Sequence, residues 1–170
     1  GLPSAGLHSN GYSLVRKICF DRQGLTLDQV IPELGKTLGE ELLRPTRLYP
    51  KALMPLIEKE LLKGLVHITG GGFYENIPRI LGDHLSASIN VDAWSRPAIF
   101  TKLQEWGQVA WPEMYRTFNM GIGMVMVVSP QDLEAVKADL NEREEVYYQI
   151  GSVEARKDQA VILEGEVFHA

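Results

Sequence analysis

The chain has 170 residues, of which 45% are hydrophobic and 23% are charged, and it carries 16 glycines and 9 prolines. This composition is typical of a folded globular domain and excludes a disordered or collagen-like chain. The 17 basic and 22 acidic residues give a net charge of −5, which does not support non-specific binding to nucleic acid.

A single cysteine, Cys19, excludes an internal disulfide and a zinc cluster built on cysteine pairs. We therefore expect a reducing, cytoplasmic environment. The longest apolar run, residues 121–128, is too short to cross a bilayer, so no membrane partner is expected. No histidine pairing has metal-ligand spacing, and no metal site is predicted. His67 is expected to be a satisfied core or rim histidine rather than a metal ligand.

In the first half of the chain, apolar residues recur at helical spacing and then give way to a short apolar strand. The predicted elements are helices over 10–23, 38–43 and 51–63 and a strand over 65–69. Thr37 and Glu40 have the spacing of a capping box at the start of the second helix.

The second half alternates helices and strands more regularly. The predicted elements are helices over 73–81, 96–106, 112–118 and 130–143 and strands over 86–91, 122–129, 147–154 and 159–164. The strongly apolar strand 122–129 is expected to be central and covered on both faces. Ser129 and Pro130 suit the cap and first position of the helix that follows. The alternation favours a layered α/β or α+β domain.

A first candidate site lies in residues 6–14, where four hydrogen-bonding side chains surround two glycines at the start of a predicted helix. Free amide N–H groups at such a start favour an anion or a polar ligand edge. His8, Ser9 and Asn10 are the candidate residues. The alternative is that Ser9 and Asn10 only cap the helix and that His8 is a loop residue.

A second candidate site lies where a predicted strand runs into three consecutive glycines and then into a helix. Such a backbone approaches a ligand closely, and its amides can form a phosphate nest. The spacing matches neither a Walker loop nor a GxGxxG fingerprint. The alternative is a tight strand-to-helix turn. The candidate phosphate-binding residues are Thr69, Gly70, Gly71, Gly72, Asn76 and Arg79.

A third candidate site precedes the apolar strand and contains Arg116, Thr117 and Asn119. Gly121 and Gly123 are expected on one face of that strand, where they would leave a groove for a ligand. The alternative is that these glycines pack under a helix.

Two further arginines, Arg44 and Arg47, could clamp a phosphate, although such pairs are more often solvated surface. From the residues alone, the sequence supports a glycine-lined, anion-tolerant site built from strand-to-helix junctions. It does not name the substrate.

Segments 6–17, 67–79 and 115–124 resemble motifs of the aminoimidazole ribonucleotide synthetase (phosphoribosylformylglycinamidine cyclo-ligase) family. Segments 43–49 and 150–153 also fit, so the resemblance covers nearly the whole chain, in order. It is a resemblance to the C-terminal half of that enzyme. It implies an α+β fold, with a mixed β-sheet covered by helices in α/β/α layers, partly like a ferredoxin fold.

The resemblance implies ATP-dependent cyclisation of formylglycinamidine ribonucleotide to aminoimidazole ribonucleotide in de novo purine biosynthesis. In the family's chemistry, the formyl oxygen is activated as an imidate phosphate and an amidine nitrogen closes the ring. ATP and Mg²⁺ are the implied cofactors, with the metal ligands in an N-terminal domain that also forms a homodimer core. Because the chain starts without Met and enters a motif within eight residues, we expect residues 1–170 to be a single domain of a larger enzyme.

The resemblance also implies roles for the candidate residues. The amides of the three glycines would hold the substrate phosphate, assisted by Thr69, Asn76 and Arg79. His8, Ser9 and Asn10 would line the reacting end, with His8 as the best candidate for proton transfer or charge stabilisation. The groove between these two sites would be supported by Arg116, Thr117 and Asn119.

Three other interpretations stay open on the sequence. Selenophosphate synthetase and formylglycinamidine ribonucleotide synthetase are relatives that share this type of domain, although the first motif in its full form disfavours both. A non-catalytic nucleotide-binding module belongs to a different class of function. A purely structural domain fits poorly with three glycine-rich polar junctions.

Overall fold

The computed structural model describes residues 1–156 and 158–168. The helices are α1 (Tyr12–Arg16), α2 (Leu38–Leu42), α3 (Pro50–Glu58), α4 (Gly72–Asn76), α5 (Ala98–Gly107), α6 (Trp111–Thr117) and α7 (Leu133–Glu142). The strands are β1 (Leu2–Pro3), β2 (Val30–Ile31), β3 (Lys36–Thr37), β4 (Leu62–His67), β5 (Leu85–Asn90), β6 (Ile122–Val128), β7 (Gly151–Ala155) and β8 (Val161–Glu164).

Several predicted boundaries move for local reasons. Helix α1 continues as a π-helical turn over Lys17–Arg22, so the first helix is real but not regular. The helix expected over 51–63 ends at Glu58, because a turn at Glu60 with φ 55° leads directly into β4. The helix expected over 73–81 becomes a 3₁₀ turn after Asn76, where the missing N–H of Pro78 prevents regular helix.

Two other predictions need correction and one is confirmed. Helix α7 begins at Leu133, after a turn, rather than at Pro130. The strand expected from residue 147 begins at Gly151. The capping box is present, since the Glu40 N–H donates to Thr37 Oγ1 at 3.2 Å and the Thr37 N–H donates to Glu40 Oε2 at 2.8 Å.

In the part of the chain that the structure describes, the strands form three separate sheets, and together with the helices they confirm the α+β class. One sheet has the order β1-β6-β4 with antiparallel neighbours, and a second has the order β7-β5-β8. Only the second is mixed, because β5 is antiparallel to β7 and parallel to β8. Strands β2 and β3 form a two-stranded hairpin.

Strand β6 is central for only part of its length. Strand β4 follows it from His67, opposite Met124, to Leu62, opposite Val128. Strand β1 pairs with it only at Leu2 and Pro3. The expectation of a fully covered strand therefore holds for its first residues, and its last residues are half-buried beside a groove.

The main core lies under α1, α5 and α6 and holds the large buried rings of Phe73, Phe100, Tyr115 and Phe118. This core supports the ends of β4 and β6, which carry the second and third motifs. Within residues 1–156 and 158–168, no helix is long and apolar enough to cross a membrane.

Candidate functional site at the junction of the three motifs

The three segments singled out from the sequence meet in space, and we call their meeting place the motif junction (residues 5–12, 67–76 and 115–123). Asn10 Oδ1 accepts the Gly70 N–H at 2.9 Å and so joins the first segment to the second. Asn119 Nδ2 donates to the Gly6 carbonyl at 2.8 Å and joins the third to the first. Gly72 packs directly against the backbone of Tyr115, which joins the second to the third. Convergence of these segments is what one composite site requires.

Asn76 organises the glycine loop from inside the protein. Its side chain is 1% exposed, and Nδ2 donates to the carbonyls of Thr69 at 3.3 Å, Gly70 at 3.2 Å and Gly72 at 2.7 Å. Its Oδ1 accepts the Thr69 hydroxyl at 3.1 Å. Both ends of this amide are used within the loop, so substrate contact by Asn76 stays a prediction and its observed role is to fix the loop.

The glycines leave little of the predicted phosphate nest free. The Gly70 N–H is bonded to Asn10, and the Gly72 N–H donates to the Thr69 carbonyl at 2.9 Å. In the described part of the chain, the Gly71 N–H has no such partner. Gly71 has φ 94° and Gly72 has φ 55°, conformations that favour glycine over other residues. A phosphate nest at this loop stays a prediction, and it would be centred on Gly71.

Charged side chains border Gly71. A Cβ added at Gly71 would lie 2.6 Å from Glu75 Oε2, so this carboxylate stands beside the loop. Arg116 is half-exposed, lies 3.9 Å from Glu75 and stacks over the Tyr74 ring at 5.2 Å. An anion bound at Gly71 would lie near Arg116, which attracts it. It would also lie near the Glu75 carboxylate, which repels it and would have to adopt another rotamer.

His8 is buried at the centre of the junction. Its ring is 4% exposed, and Nε2 accepts the backbone N–H of Ala5 at 3.0 Å and that of Arg47 at 3.4 Å. Burial, followed by the charges of His67, Arg44 and Arg47, lowers the pKa of His8 from 6.5 to about 4. His8 is therefore neutral at pH 7 and ties two loops together, so its predicted role in proton transfer remains untested and its burial counts against it.

The rings of His67 and Tyr49 flank His8, and neither residue was among the predicted site residues. The His67 ring lies 6.0 Å from the His8 ring and 5.9 Å from the Tyr49 ring, between ring centroids. His67 ends β4 and is exposed, so of the two expected places, core or rim, the core is wrong. One feature of the sequence could have indicated His67 as a site residue. It is the last residue of a strand and is followed closely by the glycine loop, so its side chain lies near the site.

Ser9 and Asn10 do not cap α1, so that part of the alternative interpretation is wrong, whereas His8 does lie in a loop. The residue at the start of α1 is Gly11, and no side chain caps the helix in the described structure. Instead, Ser9 Oγ lies 3.4 Å from Thr46 Oγ1 at the exposed rim of the junction. Ser9 and Asn10 therefore remain placed to line a ligand.

Arg44 and Arg47 do not form a phosphate clamp. Arg44 pairs with the buried carboxylate of Glu41 at 3.4 Å. Arg47 pairs with Glu145 at 2.5 Å and donates to the Pro3 carbonyl at 3.1 Å. Both guanidinium groups are engaged with the protein itself, and Arg47 fixes the loop that carries it.

The third motif separates into structural and exposed parts. Asn119 is 1% exposed and also accepts the Gly121 N–H at 2.9 Å, so it fixes the entry to β6. Thr117 bonds with Glu113 at 3.2 Å. Of the three candidate residues in this motif, the exposed Arg116 is best placed beside the glycine loop.

Arg79, from the second motif, lies on the exposed side of its 3₁₀ turn. Its side chain makes no hydrogen bond or ion pair with the described residues.

The prediction that Gly121 and Gly123 share one face is wrong. Gly121 precedes β6 with φ 103°, and a Cβ there would lie 2.6 Å from Pro97 Cδ. A Cβ at Gly123 would lie 2.7 Å from His8 Cε1 and would overlap the Tyr49 hydroxyl. The space above Gly123 is filled by His8 and Tyr49 and is not an open groove.

An apolar groove of about 460 Å³ lies elsewhere, along β6 and α7. Its lining includes Val125, Val128, Leu133, Tyr147 and Val153. None of the site residues predicted from the sequence lines it. We call it the β6–α7 groove.

Comparison with known proteins identifies the family. Residues 1–164 match the family described as "AIR synthase related protein, C-terminal domain". The chain is 52% identical over 164 residues to a phosphoribosylformylglycinamidine cyclo-ligase of Latilactobacillus sakei, covering 96% of this chain and 48% of that protein. It is 49% identical over 162 residues to the Alkaliphilus oremlandii protein of the same name, covering 95% of this chain and 48% of that protein.

The chain thus spans about half the length of the curated relatives that it matches. A solved structure of thiamine-monophosphate kinase from Stenotrophomonas maltophilia covers 98% of this chain and 52% of its own, with a TM-score of 0.59 and 15% identity. That likeness shows a shared fold. By its sequence match, the chain belongs to the AIR synthase related protein family, in which it corresponds to the C-terminal domain.

Proposed function

We propose that this chain supplies the C-terminal part of an active site that cyclises formylglycinamidine ribonucleotide to aminoimidazole ribonucleotide with ATP. One observation carries the proposal: the three segments that resemble the cyclo-ligase motifs meet at one junction. Relatives of about half identity over nearly the whole chain carry the name of that enzyme, which supports the same reaction.

The residues of the junction divide into two tasks. The exposed Ser9, the half-buried Asn10 and the N–H of the half-buried Gly71 bind the substrate, and Arg116, which lies beside Glu75, is the cation for its phosphate. The buried amides of Asn76 and Asn119 hold the loops in place. A preorganised site of this kind keeps the flexible substrate folded for ring closure.

ATP supplies the phosphoryl group that activates the formyl oxygen of the substrate. Among the described residues, no group of three or more His, Cys, Asp or Glu side chains could hold a metal ion. The described residues therefore offer no such cluster for Mg²⁺. We propose that the Mg²⁺ ligands and the homodimer contacts belong to an N-terminal domain of the complete enzyme, which covers the motif junction.

The test is an assay of the complete enzyme that carries this chain. Purified protein is supplied with Mg-ATP and either formylglycinamidine ribonucleotide or selenide. We expect release of ADP and aminoimidazole ribonucleotide with the first substrate and no turnover with the second. Turnover of selenide alone, or of neither substrate, would overturn the proposal.

A further inference from the structure

We propose that His67 accepts the proton released during ring closure, and that His8 and Tyr49 are positioning residues that hold its ring at the motif junction. The inference rests on the proposed function and adds to it a catalytic residue that the sequence did not single out. It is carried by the arrangement of three rings, of which two are buried and one is exposed.

The three rings pack against one another from three different segments. His8 comes from the loop before α1, Tyr49 from the residue before α3, and His67 from the end of β4. The centroid distances are 6.3 Å for His8–Tyr49, 6.0 Å for His8–His67 and 5.9 Å for Tyr49–His67. The missing side chain at Gly123 leaves the space in which His8 and Tyr49 lie. His67 is thereby supported on one side and open to solvent on the other.

His8 cannot easily take this proton. Its Nε2 already accepts two backbone N–H groups, so the neutral ring carries its hydrogen on Nδ1. Nδ1 is buried and has no partner in the described structure, which leaves it no path to solvent. A proton added at Nε2 would face the N–H groups of Ala5 and Arg47, and both hydrogen bonds would be lost.

Tyr49 is fixed in the same way. Its hydroxyl donates to the Pro3 carbonyl at 3.1 Å, and burial raises its pKa to about 12. It therefore stays neutral at working pH and acts through its shape. The Arg47 guanidinium also lies over the Tyr49 ring, with its carbon 5.3 Å from the ring centroid.

The charged groups that face this cluster are Arg44 and Arg47, from the segment between α2 and α3. Each is compensated by a carboxylate, Arg44 by Glu41 at 3.4 Å and Arg47 by Glu145 at 2.5 Å. Strand β6 contributes Gly123 and Met124 beside His67, and neither is ionisable. His67 is thus the solvent-accessible imidazole of the cluster.

The chemistry of ring closure needs such a group. The formyl oxygen takes the γ-phosphoryl group of ATP as its bond to ADP breaks, and the formamide nitrogen loses its proton to solvent, which gives an imidate phosphate. A C–N bond then forms between the formyl carbon and the amidine nitrogen, and the C–O bond breaks, so the oxygen leaves within inorganic phosphate. The attacking nitrogen gives up one proton, which His67 accepts and passes to solvent. A proton then moves from the ring methylene carbon to the remaining amidine nitrogen, which gives the aromatic aminoimidazole. No oxidant or reductant takes part.

The experiment compares His67→Ala, His67→Gln and His8→Gln in the complete enzyme. A positioned general base contributes about 100-fold or more to turnover, so both His67 variants are expected to lose at least that factor in kcat. They should also lose the acidic limb of the pH–rate profile. Added imidazole should restore part of the activity of His67→Ala, because the vacated position is open to solvent.

His8→Gln is the matched control. The glutamine carbonyl can still accept a backbone N–H, so this variant should keep the wild-type pH profile and gain nothing from imidazole. If the His67 variants keep the wild-type kcat and profile, or if imidazole restores a His8 variant instead, the inference is overturned. A wild-type enzyme without cyclo-ligase activity would instead overturn the proposed function, so the two failures are distinguishable.

Discussion

The motif junction and the β6–α7 groove are two concave regions built in opposite ways. The junction is lined by polar groups, and buried asparagine amides from two motifs hold its loops by hydrogen bonds to backbone. The groove has a volume of about 460 Å³ and is lined mostly by aliphatic side chains from β6, α7 and residues 147–153. The junction can therefore recognise a polar ligand through fixed donors, whereas the groove offers mainly apolar surface.

The difference shows that concavity alone does not identify a site. In the junction, the buried side-chain amides of Asn76 and Asn119 form hydrogen bonds with loop backbone and so fix the conformation of these loops. Buried polar networks of this kind are costly unless they are satisfied, and they specify one arrangement. The groove has no such network, so substitutions there should change packing without changing chemistry.

The largest effect is expected from a side chain at Gly72. Gly72→Ala places a methyl group 2.8 Å from the Arg116 carbonyl carbon and against the Tyr115 carbonyl oxygen, in a backbone conformation with φ 55°. We expect the free energy of unfolding to fall by about 4 kcal/mol, because the loop and α6 must separate. Urea denaturation measures the change.

Gly24→Ala is the matched control for that substitution. Gly24 has a similar φ of 62°, and a Cβ there would meet nothing within 4 Å. The expected loss is about 1 kcal/mol, from backbone strain alone. Equal losses at the two glycines would contradict the close contact between the second and third motifs.

A smaller effect is expected from acid, through His8. The folded protein holds the pKa of His8 near 4, whereas the ordinary value is 6.5. Below pH 6.5, His8 takes up a proton in the unfolded chain but not in the folded chain. The contribution of His8 to the free energy of unfolding is therefore fully present above pH 6.5 and decreases as the pH falls towards 4. The contribution lost over this window is about 3 kcal/mol.

The measurement compares urea denaturation of the wild type and His8→Gln between pH 4 and 7. The difference in unfolding free energy between the two proteins should shrink steadily as the pH falls below 6.5. A difference that does not change with pH would mean that the ring of His8 is not buried as a neutral group.

The smallest effect is expected in the groove. Leu133 is half-buried at the start of α7 and lines the groove. We expect Leu133→Ala to lower the free energy of unfolding by about 1 kcal/mol, because part of its apolar surface is already exposed. The kcat/KM of the complete enzyme should stay unchanged. A tenfold loss of kcat/KM would assign the groove a part in catalysis.

The sequence predicts the class of fold and the three polar segments well, because both depend on local patterns. Apolar periodicity locates β4, β6 and α5, and glycine clusters locate the loops. The roles of individual side chains were harder to predict. Asn76 and Asn119 look like ligand residues in the sequence, but both are buried and bond to backbone.

The contacts that distinguish these roles join residues far apart in the chain. His8 is separated by 39 residues from Arg47, whose N–H it accepts, and no local pattern encodes that bond. The surroundings of His67 depend in the same way on His8 and Tyr49, whose rings only the folded chain brings beside it. Burial and long-range pairing therefore decide which polar residues can reach a ligand.

Hydrogen–deuterium exchange tests most directly whether the motif junction, rather than the groove, is the active site. The complete enzyme would be measured with and without formylglycinamidine ribonucleotide and a non-hydrolysable ATP analogue. We predict that the ligands slow exchange in peptides that cover residues 6–12 and 67–76. Exchange in peptides that cover residues 125–133 and 147–153 should stay unchanged. Protection confined to the groove peptides would contradict this prediction.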